Sequence, residues 1–262
     1  MKTLQTLTIA SLYVLALHPN KLCAITISPE QTKTIAHKIW HNECGGTLAG
    51  LTTWNRGETC ASLGIGHFIW YPTKKSDRFH ETFPELLLFL QEQGAKLPSW
   101  LANNRTCPWA TRTAFYENIQ SKDMQELRTL LAATINDQAL FMAKRLENVL
   151  PSLVKRCRSE EQQHITTVFN HLAATPQGLY ALIDYLNFKG AGTGNKESYH
   201  NKGWGLKQVL LATQKSPNNQ VAAFSDAAKR TLTQRVQLAP KERKENRWLT
   251  GWLKRIDTYT QA

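Results

Sequence analysis

Between Glu43 and Tyr71 the chain gathers two carboxylates, Glu43 and Glu58, with Asn55, His67 and the rings of Trp54, Trp70 and Tyr71. That mixture suits a carbohydrate. A carboxylic acid can protonate a glycosidic oxygen, amides pair with hydroxyls, and aromatic faces stack on pyranose rings. Glu43 is the candidate general acid, because it stands where a helical pattern meets a glycine-rich segment. Such an acid must keep its proton near neutral pH, which an apolar neighbour such as Trp40 and the negative end of a helix dipole would both favour. Glu58 is the second carboxylate, able to act as base or electrostatic stabiliser if a hairpin returns it across Glu43. Thr52, Thr53 or Asn55 could position water instead, or the substrate's own acetamido or hydroxyl group could attack, and Trp54 offers a ring. His67 follows Gly64-Ile65-Gly66 and is expected to brace the site by hydrogen-bonding into the hairpin.

A second constellation runs from Asn187 through Gly190, Gly192 and Gly194 to Glu197, Tyr199 and then Gly203-Trp204-Gly205-Leu206-Lys207-Gln208. It lacks the Gly-Lys-Ser/Thr ending of a phosphate loop. A glycine-bearing loop that presents Trp204 and Gln208 to a cleft fits its composition better. Near the C-terminus Arg247, Trp248, Trp252 and Arg255 share one helical stretch, where core anchoring competes with a place on the far wall of a groove.

The elements that must position these residues are mostly helical. Ser28-Pro29 with Gln31, Ser159 with Gln162, Thr175-Pro176 and Ser216-Pro217 are helix-start signals. Apolar spacing predicts helices near residues 29 to 42, 81 to 93, 111 to 119, 122 to 148, 159 to 173, 176 to 187, 203 to 214, 217 to 236 and 241 to 258, with Pro151 ending the long middle stretch. A single hairpin fits within Gly45 to Ala61, so any sheet is small. The expected class is mainly α (α+β), one domain over residues 25–262, with two lobes around 151 as an option.

The first residues read as a leader. Lys2 precedes an apolar run from Leu7 to Leu17, about half of the roughly 20 residues a membrane span needs, so residues 1–24 are expected to be a signal peptide that is removed. A secreted or periplasmic location follows as an expectation. Cys44, Cys60, Cys107 and Cys157 remain as an even set that could form two disulfides, with Cys44 to Cys60 the favoured pairing. The formal charge of +12 suits an acidic polymer or an anionic envelope surface. No zinc-finger spacing or RNA-binding aromatic motif supports nucleic acid. His37 and His41 share a helix face but lack the His-Glu-x-x-His arrangement, and neither a metal nor a cofactor is expected. A cysteine hydrolase built on Cys44 or Cys60 with His67 would need an activated thiolate.

With Glu43 at a helix end, a hairpin after it and Ser62-Leu63-Gly64-Ile65-Gly66-His67 beyond, the chain resembles the lysozyme-like superfamily, in particular phage-type muramidases and related murein-degrading enzymes. In these a Thr-x-Gly-x-Gly-His motif follows the catalytic Glu, and here Ser62 stands in place of Thr. The resemblance covers residues 28 to 70. It implies a helical domain with a small β-hairpin beside an active-site cleft that cuts the β-1,4 bond between N-acetylmuramic acid and N-acetylglucosamine of peptidoglycan glycan strands without cofactor or metal; a monomer is the separate expectation for its assembly. The segment between Glu43 and the motif is longer than in those enzymes, bears cysteines and contains no Asp. That leaves open the role of Glu58 and the choice between hydrolysis and lytic transglycosylation. The alternative function is a non-catalytic envelope-binding protein with the same fold.

Overall fold

The structure, a computed structural model, describes residues 25–73, 79–104, 106–194, 197–216 and 218–261. The leader assigned to residues 1–24 lies outside them. The chain is mainly helical with a small antiparallel sheet. Helix α1 (Pro29–Cys44) starts on a capping box in which Ser28 Oγ accepts the Gln31 N–H and Gln31 Oε1 accepts the Ser28 N–H. It ends at Gly45 in the left-handed conformation. Ile35, Ala36 and Ile39 form its buried stripe, which packs on α6.

Strands β1 (Thr52–Thr53), β2 (Ala61–Leu63) and β3 (Phe68–Trp70) form an antiparallel meander, with Thr52 opposite Leu63 and Ala61 opposite Trp70. The expected hairpin is its first half. The β1–β2 loop is anchored from inside: the indole of buried Trp54 donates to Glu58 O at 2.8 Å, and Arg112 Nε donates to Trp54 O at 2.9 Å. Short helices α2 (Phe83–Glu92), α3 (Ser99–Asn103) and α4 (Arg112–Glu117) follow.

The long stretch expected over residues 122 to 148 is two helices, α5 (Lys122–Ala133) and α6 (Ile135–Lys155), broken at Thr134. There the Thr134 hydroxyl donates to Leu130 O at 2.8 Å and accepts from Gln138 Nε2 at 3.1 Å. A side chain that feeds its own preceding turn competes with the helix. Pro151 does not end α6. The helix runs through it to Lys155, with Pro151 on the exposed face.

Helices α7 (Ser159–Ala173) and α8 (Pro176–Lys189) pair closely, and Thr175 caps α8 by accepting the Gly178 N–H. The N-cap of α7 is Arg158, one residue before the expected Ser159, and its N–H donates to Glu161 Oε2 at 2.9 Å. A two-stranded ribbon, β4 (Ser198–Tyr199) and β5 (Lys202–Gly203), leads into α9 (Leu206–Ala212). Helix α10 (Gln220–Leu238) starts three residues after Pro217, and α11 (Asn246–Asp257) closes the chain against it. Apolar side chains from α1, the meander, α6, α8 and α10 belong to one continuous core.

The turn after β2 is built from α6. Gln138 is fully buried; its Oε1 accepts the Ile65 N–H at 2.9 Å while its Nε2 donates to Leu131 O at 2.7 Å. Gly64, at φ +68°, must be glycine because a Cβ there would meet Gln138 Oε1 at 2.3 Å. Gln138→Met would leave a buried N–H and a buried carbonyl unpaired. The expected cost is about 1–3 kcal/mol per orphaned group, read as a lower urea midpoint at unchanged slope.

Candidate active site

Glu43 lies in the last turn of α1 with its side chain 13% exposed. It faces a trough of about 680 Å³ whose walls include Asn55, Glu58, Ser62 and Ile69 from the meander, Arg145 and Val149 from α6, Asn187 to Ala191 from the end of α8, and Trp204 and Arg235. Three groups hold its carboxylate. Arg255 Nη2 donates to Oε1 at 2.7 Å, Asn187 Nδ2 donates to the same oxygen at 3.3 Å, and His67 Nδ1 stands 3.3 Å from Oε2.

Arg255 in turn is forked by Asp184, Nε to Oδ2 at 2.9 Å and Nη2 to Oδ1 at 2.8 Å, and Tyr259 donates its hydroxyl to Asp184 Oδ2 at 2.7 Å. Asp184 is fully buried. One guanidinium therefore joins α1, α8 and α11 through two carboxylates, and it lies 4.1 Å over the Phe188 ring. Asn187 also donates to Gly66 O at 3.1 Å, tying α8 to the glycine turn before His67.

These partners reverse an expectation. Burial pushes the Glu43 carboxyl up, but the Arg255 charge, the His67 charge and the hydrogen bonds from Arg255 and Asn187 outweigh it and hold the carboxyl below its ordinary value. Trp40 does not supply an apolar wall: its indole donates to Thr47 O and it sits beside His37. His67, expected to hydrogen-bond into the hairpin, instead turns its ring to Glu43.

Of the predicted contact residues, Asn55, Glu58, His67 and Trp204 line the trough. Asn55 Nδ2 donates to Glu58 Oε2 at 3.1 Å, which fixes how Glu58 is presented. Trp204 is buried, packed against Tyr199 at 4.7 Å and covered by the Arg235 guanidinium at 4.1 Å, so only an edge reaches the trough. Thr52, Thr53 and Trp54 do not line it. Thr52 accepts from Arg128 at 2.7 Å, Thr53 on the opposite face of β1 donates to Ser62 O of the next strand, and Trp54, just past β1, is buried against Phe115. Gln208 is likewise inside: its Nε2 donates to Gly192 O at 3.0 Å, and a Cβ on Gly192 (φ +76°) would collide with its Oε1. It pins the glycine loop and leaves the cleft to that loop.

No disulfide joins the four described cysteines, which corrects the expected Cys44 to Cys60 bridge. Cys44 points instead at Gly64 O (3.6 Å) and His67 Nε2 (4.0 Å). Cys107 is hydrogen-bonded through its N–H to Tyr71 O, the residue next to Cys60's partner strand end, and Cys157 bonds back to Leu153 O within its own helix. Burial, followed by the neighbouring Glu43 charge, pushes the Cys44 thiol up to about 12, so it stays neutral beside His67 and is no thiolate nucleophile.

Residue types alone did not reveal Arg255, Asp184 and Asn187 as partners of Glu43. The Arg at the end of an amphipathic helix and the lone Asp inside an otherwise apolar α8 were the available signals. Among the described residues no three His, Cys, Asp or Glu side chains converge to hold a metal ion, and no helix is long and apolar enough to cross a membrane. The chain matches no protein family, and comparison with curated proteins and with solved structures finds no match.

A carboxyl with a depressed pKa in the folded state binds its proton more readily when unfolded. The Glu43 pairing therefore stabilises the fold fully above the ordinary carboxyl value of 4.5, and the contribution is lost as pH falls through the lower folded value. Arg255→Met, which leaves Glu43 and Asp184 buried without their cation, is expected to cost about 3–5 kcal/mol near neutral pH. Urea melts at neutral and acidic pH should show the gap between wild type and variant narrowing on acidification.

Proposed function

We propose that this chain is an exported, lysozyme-like glycosidase, secreted or periplasmic, that cuts the β-1,4 bond between N-acetylmuramic acid and N-acetylglucosamine in peptidoglycan. The observation that carries the reading is the placement of Glu43 at the end of α1, bonded to the His67 that closes a Gly-x-Gly-His turn, on the wall of a trough it shares with Glu58 and Ser62. A trough of about 680 Å³ with Glu43 and Glu58 on its walls has room for sugar rings beside both carboxylates. Without the expected leader, which carries Lys2 and Lys21, the formal charge is 12 − 2 = +10, which adds attraction to an anionic envelope.

In this reading Glu43 donates a proton to the leaving glycosidic oxygen as the C–O bond breaks, and the developing cationic sugar is met by Glu58 or by water held near Ser62 and Glu58. The free trough holds Glu43 ionised, so it must first gain a proton. A bound sugar ring expels water and strengthens the burial that already pushes the carboxyl up. Arg255 is not stranded by this step, because Asp184 retains its fork. The water-based outcome is hydrolysis; attack by the muramyl 6-hydroxyl on its own anomeric carbon gives the anhydro product of a lytic transglycosylase.

The strong Arg255 pairing also supports a second reading, an envelope-binding protein that keeps the trough without turnover. Digestion of purified murein separates the two. Glu43→Gln, shown by circular dichroism to fold, should release muropeptides at least about 10²- to 10⁴-fold more slowly than wild type. Equal release by both proteins overturns the role of Glu43, and binding without release by either favours the second reading. The masses of the products, differing by one water, separate hydrolysis from transglycosylation.

The pH profile has a definite sign. An acid catalyst acts protonated, so kcat/KM, which reports the free protein, should be highest in acid and fall as pH rises through the depressed Glu43 value. A profile that rises from acid toward neutral pH without a falling limb contradicts a proton held on Glu43.

A further inference from the structure

Lys189, the last residue of α8, lines the same trough as Glu43. Its ammonium sits 3.8 Å from the Phe188 ring centroid and 3.4 Å from that of Trp252. Among the described residues it makes no hydrogen bond and no ion pair, whereas the other cations around it are matched: Arg255 by Glu43 and Asp184, and Arg235 by Glu245 at 2.7 Å. Burial, followed by the charges of Arg235 and Arg255, holds its pKa well below the ordinary lysine value, and the charges of Glu245 and Glu43 only partly offset them. Two aromatic faces are a partial substitute for water around a cation. A negative group in the trough would complete its surroundings.

Resting on the glycosidase reading, we infer that Lys189 is a specificity-determining residue that binds a carboxylate carried by the muramyl unit, so that the trough prefers anionic murein to uncharged glycans of the same linkage. The carboxylate has two sources, the lactyl ether of a peptide-free strand and the stem peptide of a substituted one. Both offer the same chemistry, a compact anion that takes a charge-assisted hydrogen bond from the ammonium.

The test uses the full chain carrying Glu43→Gln to prevent turnover, with and without Lys189→Met, and measures dissociation constants by calorimetry. The probes are chitotetraose, a peptide-free murein tetrasaccharide and a peptide-bearing murein tetrasaccharide. The Lys189-containing protein should bind one or both murein probes more tightly than chitotetraose, and Lys189→Met should reduce that ratio of affinities about 10- to 100-fold, the value of a hydrogen bond to a charged group. Preference for the peptide-free probe identifies the lactyl carboxylate, and preference for the substituted probe identifies the stem. Lys189→Gln serves as the second variant if thermal melts show that Lys189→Met has not folded. Equal affinity for all three probes, a ratio unchanged by either variant, or no binding to any of them overturns the assignment. The murein-release assay judges glycosidase activity separately, so failure of either is recognisable.

Discussion

One guanidinium organises the wall of the trough beside Glu43. Arg255 comes from the last helix, Glu43 from the first and Asp184 from the middle of α8, and all three are buried or nearly so. Removing two carboxylates and a cation from water is costly, and the arrangement persists because each charge is hydrogen-bonded as well as paired. Tyr259 adds its hydroxyl to Asp184, and Asn187 adds its amide to Glu43. The result fixes the end of α1 against the C-terminal helix and points the Glu43 carboxylate at the trough.

The same pairing sets stability against chemistry. The fold is best served by an ionised Glu43, and the proposed proton donation by a neutral one. Asp184 reconciles the two demands, since a guanidinium with two carboxylate partners can give up the charge of one and still be matched. In the proposed reaction, burial by the bound sugar supplies the upward push on the carboxyl. His67, with Nδ1 on Glu43 and Nε2 near the neutral Cys44 thiol, orients the carboxyl without competing for the role of acid.

Much of the scaffold was legible in the chain because its signals are local. The Ser28 capping box and the Thr175-Pro176 start set the beginnings of α1 and α8, and period-3.6 apolar spacing located the helices between. Pro151 misled because a proline on an exposed helical face removes a bond the carbonyl can replace with solvent. Thr134, whose hydroxyl turns back on Leu130, broke the helix instead. The site was half legible. Glu43, Asn55, Glu58 and His67 stand close in sequence and meet in space, while Trp54 and Gln208, chosen for their chemistry, were needed by the core and by the glycine loop. Arg255 and Asp184 could not be joined to Glu43, since only the packing of distant helices brings them together. The even cysteine count suggested bridges, but the end of α1 turns Cys44 toward the glycine turn.

The central claim is that Glu43 is held ionised in the free trough and takes up a proton when a saccharide fills it. A carbon-13 NMR titration of the Glu43 side-chain carboxyl, free and with a non-cleavable thio-linked muramyl oligosaccharide, tests it directly. The account predicts an apparent pKa below the ordinary carboxylate range in the free protein and a clear upward shift with the sugar bound. A Glu43 resonance that titrates identically in both states, under conditions where the saccharide is bound, would contradict it.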